Sequence, residues 1–203
     1  MIMFGCGGSK SEQSQGTSDT ESTAGNGESS EPKSINEAMN QMEDAVKQMQ
    51  GSNELKEPVN FRDLKDLIPE SALRLKRTDL SGETSGVFGM KFSQARANFS
   101  NDSGDKSVDM EVMDFGGVGP ALMGMATWVS VEIDRESGGE SERTTKIKGF
   151  KAYEKYNKND KTGELSVFVS ERFLVKISGQ NVTIDELKSA LDAFDFDKLK
   201  KLG

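Results

Sequence analysis

From Gly7 to Lys33 the chain carries one alanine, no aromatic and no branched aliphatic side chain, so none of that stretch can enter a hydrophobic core. Segments so poor in apolar surface cannot offset their ordering entropy and are expected to stay disordered. Any fold must come from the residues beyond Lys33. With 203 residues and a net charge of -8, the chain has room for one folded domain plus appendages. As a flexible coil, residues 7–33 form a tether whose mean reach is about 30 Å, on a scaling of roughly 5–6 Å times the square root of residue number.

Beyond the tether the pattern becomes periodic. Ser34 and Glu37 form a capping box and Gly51 closes the far end, which predicts a helix over 34–50. Its apolar residues Ile35, Met39, Met42, Val46 and Met49 alternate in steps of four and three, a short heptad seam. That seam, over 35–49, can dock on its own domain, pair with a second copy, or enter the groove of a protein partner.

A globular domain is expected over 59–203. Asn60 caps a short helix with Phe61, Leu64, Leu67 and Ile68, stopped by Pro69. Leu73 and Leu75 open a strand. Phe88, Met90 and Phe92 alternate in one phase and Ala95, Ala97 and Phe99 in the other, which predicts a bulge near Ser93. Val108, Met110 and Val112 mark the returning strand. Pro120 then begins an apolar helix over 118–133, with Met123, Ala126 and Trp128 off its main stripe. After a polar loop at Gly138-Gly139, four short strands carry Ile147, then Phe150 and Ala152, then Leu165 and Val167, then Phe173 and Val175. Thr183 and Glu186 cap a closing helix with Ile184, Leu187 and Leu191. Hairpin-linked strands make an antiparallel sheet, so the fold class is α+β: about six to seven strands with helices packed on them.

Residue types with catalytic reach are scarce. The chain has no histidine and one cysteine, which removes the commonest general base, most nucleophile activation and most zinc sites. Asp109, Glu111 and Asp114, and Glu132, Asp134 and Glu136, read as solvated faces. Gly116-Gly117-Val118-Gly119-Pro120 lacks the lysine and third glycine of phosphate loops and reads as a tight turn. Asn157 to Gly163 has Lys161 where a calcium loop needs an oxygen ligand, so it reads as a hairpin turn. No catalytic residue, metal or cofactor is expected, and the acidic balance excludes nucleic acid.

Met3-Phe4-Gly5-Cys6-Gly7-Gly8-Ser9 supplies a small residue before a lone cysteine and a polar start after it. This resembles the lipidation site of bacterial lipoproteins, with Met3 where leucine is usual and Phe4 bulkier than expected. The resemblance implies that residues 1–6 are the remnant of a signal and that Cys6 carries acyl chains. The 7–15-residue apolar region such a signal requires is then expected upstream of Met1. The block Gly149–Gly179, with Tyr153-Glu-Lys-Tyr156 and Arg172-Phe173-Leu-Val175, is similar to uncharacterised bacterial lipoproteins of this size. No activity comes with that family. In element order the domain is also similar to α/β/α sandwich modules on an antiparallel sheet, as in photosystem-associated lumenal proteins.

The expectation is therefore a noncatalytic binding or scaffolding module in the cell envelope. It is held to a membrane by acyl chains on Cys6 and faces the periplasm or exterior. A start at Met1 as written places it in the cytoplasm instead. The alternative function is a carrier of a hydrophobic ligand, with Met123, Met125 and Trp128 lining a cavity between the sheet and the 118–133 helix.

Overall fold

The computed structural model describes residues 56–87, 90–117 and 126–203. Cys6, the 7–33 tether, the 34–50 helix with its 35–49 seam, Phe88, Met123 and Met125 lie outside the described residues. Nine strands form one antiparallel sheet: β1 (Ser71–Ala72), β2 (Leu75–Val87), β3 (Met90–Ser100), β4 (Ser107–Asp114), β5 (Asp134–Ser137), β6 (Glu140–Ile147), β7 (Phe150–Asn157), β8 (Thr162–Val169) and β9 (Phe173–Gln180). Their order is β1-β2-β3-β4-β9-β8-β7-β6-β5. Two meanders therefore meet where β4 pairs with β9. Among the described residues three short α-helices accompany the sheet: α1 (Phe61–Lys65), α2 (Ile184–Leu191) and α3 (Phe196–Leu202).

The sheet is larger than the six to seven strands expected, for two local reasons. Leu73 and Leu75 do not share a strand. Leu73 and Arg74 form a two-residue turn with φ of 53° and 64°, which splits off β1. β5 reads Asp-Arg-Glu-Ser and is exposed throughout, so it offers no apolar alternation to detect. The supposed polar loop at Gly138-Gly139 is the β5–β6 turn itself, with φ of 59° and 95°. Positive φ at both central residues matches the right-handed twist of the flanking strands.

The bulge expected near Ser93 is absent: β2 and β3 pair without a shift from Val87↔Met90 to Asp79↔Asn98, and the irregularity falls between Arg77 and Asp79. The change of phase along β3 has another cause. Ala95, Ala97 and Phe99 face the main core, while Phe92 faces the opposite side of the sheet and packs in a second cluster. Both faces bury apolar residues at that end, so both phases of the alternation are apolar.

On the main face, Phe99, Met110, Val112, Leu165, Phe173 and Ile177 are fully buried beneath Leu64 of α1, Leu187 and Leu191 of α2, and Leu199 of α3. Each such side chain contributes about 1.5–3 kcal/mol by leaving water. The cap on α2 forms as its sequence dictates: Glu186 N–H donates to Thr183 Oγ1 at 3.2 Å, and Thr183 N–H to Glu186 Oε2 at 2.9 Å. Packing of the three helices into this one cluster makes a two-layer arrangement among the described residues.

The helix expected over 118–133 is not α-helical in its described part. Residues Thr127–Ser130 make one 3-10 turn, and Val131 continues extended toward β5. Valine, isoleucine and tryptophan are poor helix formers, and the sheet beneath takes Trp128 and Ile133 individually. Residues 118–125 lie outside the described residues.

Candidate functional site

The face of the sheet opposite the helices carries a second, smaller apolar cluster. Phe92 from β3, Met113 from β4, Phe168 from β8, Leu174 from β9 and Tyr153 from β7 present a shallow apolar floor there. The 126–133 segment lies across it. Trp128 is buried and stacks on Tyr153, with ring centroids 5.8 Å apart and planes 18° from parallel. Its contact is with its own sheet. Lys151 secures the segment by donating from Nζ to the carbonyls of Val129 at 2.7 Å and Val131 at 3.1 Å.

At the rim of this floor, the Tyr153 hydroxyl donates to Glu142, whose other oxygen receives the Arg135 guanidinium. Burial, and next the hydrogen bond to Glu142, push the Tyr153 phenol above its ordinary range. The Tyr153 hydrogen bond, helped by Arg135, holds the Glu142 carboxyl below its ordinary range. Near neutral pH the phenol stays protonated and the carboxylate ionised. General acid–base work needs a group whose pKa lies near the working pH. This cluster is a fixed hydrogen-bonded bracket between β5, β6 and β7.

Beside it, an open groove of about 610 Å³ is lined by Glu132, Ile133, Asp134, Thr144, Lys146 and Lys151, among others. Carriers of apolar ligands use enclosed, mainly apolar cavities. This groove is open to solvent and edged by charge.

The acidic residues singled out in the sequence are not brought together. Asp109 and Glu111 lie on the polar half of the second face, where Arg96 reaches Asp109 at 3.2 Å. Glu132, Asp134 and Glu136 are exposed near β5. No group of three acidic, histidine or cysteine side chains suits a metal among the described residues. Asp114 departs from the solvated-face reading, because it is fully buried. Its oxygens accept Arg172 Nε and Nη2 at 2.8 Å each, Gly116 N–H at 2.9 Å and Val59 N–H at 2.7 Å.

A signal for that burial was present in the sequence. Val108, Met110 and Val112 set the core-facing phase of β4, and Asp114 is the next residue in that phase. A carboxylate there needs a cation, and Arg172, in the turn just before the pairing strand β9, supplies it. The glycines behave as a tight turn: Gly116 and Gly117 have φ of 61° and 87°. A Cβ at Gly116 would meet the Lys56 carbonyl oxygen at 2.4 Å.

Glu154 is the other buried carboxylate among the described residues. It sits between Arg143 at 2.8 Å and Lys188 of α2 at 3.0 Å. Its Oε2 makes no well-directed hydrogen bond, although Lys188 is close enough for attraction. The arrangement clips α2 to β7.

Comparison with known proteins gives no match: no family model, no curated protein and no solved structure is similar to this chain.

Proposed function

We propose that this chain is a noncatalytic binding or scaffolding module, anchored to a bacterial envelope membrane by acyl chains on Cys6 and projected by residues 7–33. The observation that carries this reading is how the domain receives the chain arriving from Cys6. Lys56 N–H donates to Gly116 O at 2.8 Å, Arg172 Nη2 donates to the Glu57 carbonyl at 3.0 Å, and Val59 N–H donates to Asp114. The entering strap is thus fastened beside β4 and β9, the pair joining the two meanders. Tension on a tether would fall on the most heavily buried part of the sheet rather than fray an edge. The Tyr153–Glu142 pair, locked away from neutral titration, supports the noncatalytic part.

The test is to express the full reading frame with its upstream region, as wild type and as Cys6→Ala, under labelling with an acyl-chain precursor. Wild type should take up label and sediment with membranes, and Cys6→Ala should do neither. Unlabelled wild-type protein in the soluble cytosol would end the anchored reading.

A further inference from the structure

The two edges of the sheet are finished differently. β5 closes one edge with four exposed residues, three of them charged, which is how natural sheets discourage further pairing. At the other edge, β1 pairs only with Leu75 and Lys76 of β2, and Arg77 N–H donates to Glu70 O at 3.1 Å. Beyond Arg77, residues 78–86 of β2 have no strand on their outer side among the described residues. Nine residues at about 3.4 Å each make an open edge of about 30 Å. Within it are two glycines and four serines or threonines, with no proline and no lysine.

We propose that this edge of β2 takes up an extended segment of a partner protein as a tenth strand, one whose side chains alternate between basic and apolar. The basic requirement comes from one face. Asp79 and Glu83 share the face that carries Arg96 and Glu111, and both are exposed. Glu83 is met by the neutral amide of Gln94 at 2.7 Å, which leaves its charge uncompensated by that contact. Cations on the incoming strand would sit opposite these acids, where cross-strand pairs interact most strongly. The apolar requirement comes from the other face. There Gly82 leaves space filled by Phe61 of α1, whose ring edge is 2.9 Å from where a Cβ would stand. Phe61 is only partly buried and offers apolar side chains a surface.

The same edge of a second copy offers these acids no cation. An antiparallel β2 pair centred on Ser81 sets Asp79 opposite Glu83 twice, with like charges directly opposite, and one centred on Gly82 sets Asp79 opposite Ser85 and Glu83 opposite Ser81. Strand addition draws affinity from main-chain hydrogen bonds and specificity from alternate side chains.

This deepens the binding-module reading and is independent of the anchor, since the test needs no lipid and leaves the labelling result untouched. The full 203-residue chain is titrated with a nine-residue peptide alternating lysine and valine, and with its glutamate-for-lysine counterpart. Two further lysine peptides are N-methylated on alternate residues, one for each backbone edge. The lysine peptide should bind about tenfold or more tightly than the acidic one and slow exchange at the alternate amides of 78–86 that point away from β3. One N-methylated peptide should lose about tenfold and the other should not. Asp79→Lys with Glu83→Lys, both exposed and outside the core, should reverse the preference. Equal binding of both charge types, or indifference to both N-methylations, overturns the proposal. So does protection, before peptide is added, of the alternate amides of 78–86 that point away from β3, which assigns the edge to the chain's own N-terminal residues. Protection that grows with protein concentration assigns it to a second copy, with the same consequence.

Discussion

Arg172 meets Asp114 in a forked pair, Nε to Oδ1 and Nη2 to Oδ2 at 2.8 Å each, with the carboxylate fully buried and the guanidinium nearly so. The same carboxylate holds the backbone of Val59, and the same guanidinium holds the carbonyl of Glu57. One ion pair therefore joins β4, the turn before β9, and the strap leading from the N-terminus. Removing one partner of a buried pair strands the other charge, at a cost of about 3–5 kcal/mol. Arg172→Ala should lose that much in urea unfolding. Limited proteolysis should also cut faster near Lys56, whereas a loss confined to global stability would leave the strap no more sensitive than the rest.

Tyr153 and Glu142 give a pH signature. Glu142's folded pKa lies below its ordinary value of 4.5, so its contribution is present above that value and is lost as pH falls through the folded one. Glu186 is shifted the same way by Lys106 and the Thr183 cap. Tyr153 is raised, so its contribution is present below about pH 10 and is lost as pH rises beyond. Tyr153→Phe removes the hydroxyl that is the first cause of the Glu142 shift. It should cost about 1 kcal/mol at pH 7, below the roughly 1.5–3 kcal/mol of a hydrogen bond to a charged group because solvent reaches this one, and less at pH 3. Urea melts at both values check it; an equal loss at each pH would refute the link.

The sequence made much of this fold legible because local signals agreed. Thr183 and Glu186 announced α2, and Leu165, Val167 and Val169 marked one face of β8. The errors share a cause: period-two reading assumes one buried face. At Phe92 and Met113 the sheet buries both, so a face change passed for a bulge. Asp134–Ser137 buries neither, so β5 left no trace. The Trp128 segment was apolar enough for a helix, but packing on the sheet overrode the pattern. The Tyr153–Glu142 bracket joins strands by register, which no spacing along the chain reveals.

Gly163 and Gly179 stand opposite each other in β8 and β9, and Leu187 of α2 descends into the space they leave. A Cβ at Gly179 would lie 2.7 Å from Val182 Cγ2 and 3.0 Å from Leu187 Cδ2. At Gly163 it would lie 2.8 Å from Leu187 Cδ1. Gly179→Ala should therefore destabilise by about 1–3 kcal/mol through overpacking, and Leu187→Ala by about 2–5 kcal/mol through a cavity. Because one methyl relieves the other's defect, the double variant should lose less than the sum. Additive losses in a thermal or urea cycle would show that the helix does not seat there.

Trp128 is the chain's one tryptophan, so its emission reports a single place. At 6% exposure, stacked on Tyr153, it should emit to the blue of free tryptophan and shift red on unfolding. The packed and carrier readings then diverge. If Trp128 is a wall of the core, a brominated fatty acid should leave its emission unquenched up to the concentration at which the lipid self-associates. Trp128→Ala should then cost about 3–5 kcal/mol. If the aromatic lines a ligand cavity, quenching should saturate at low concentration, and Trp128→Ala should weaken that ligand more than it weakens the fold. Saturable quenching would put the carrier reading ahead of the binding-module reading.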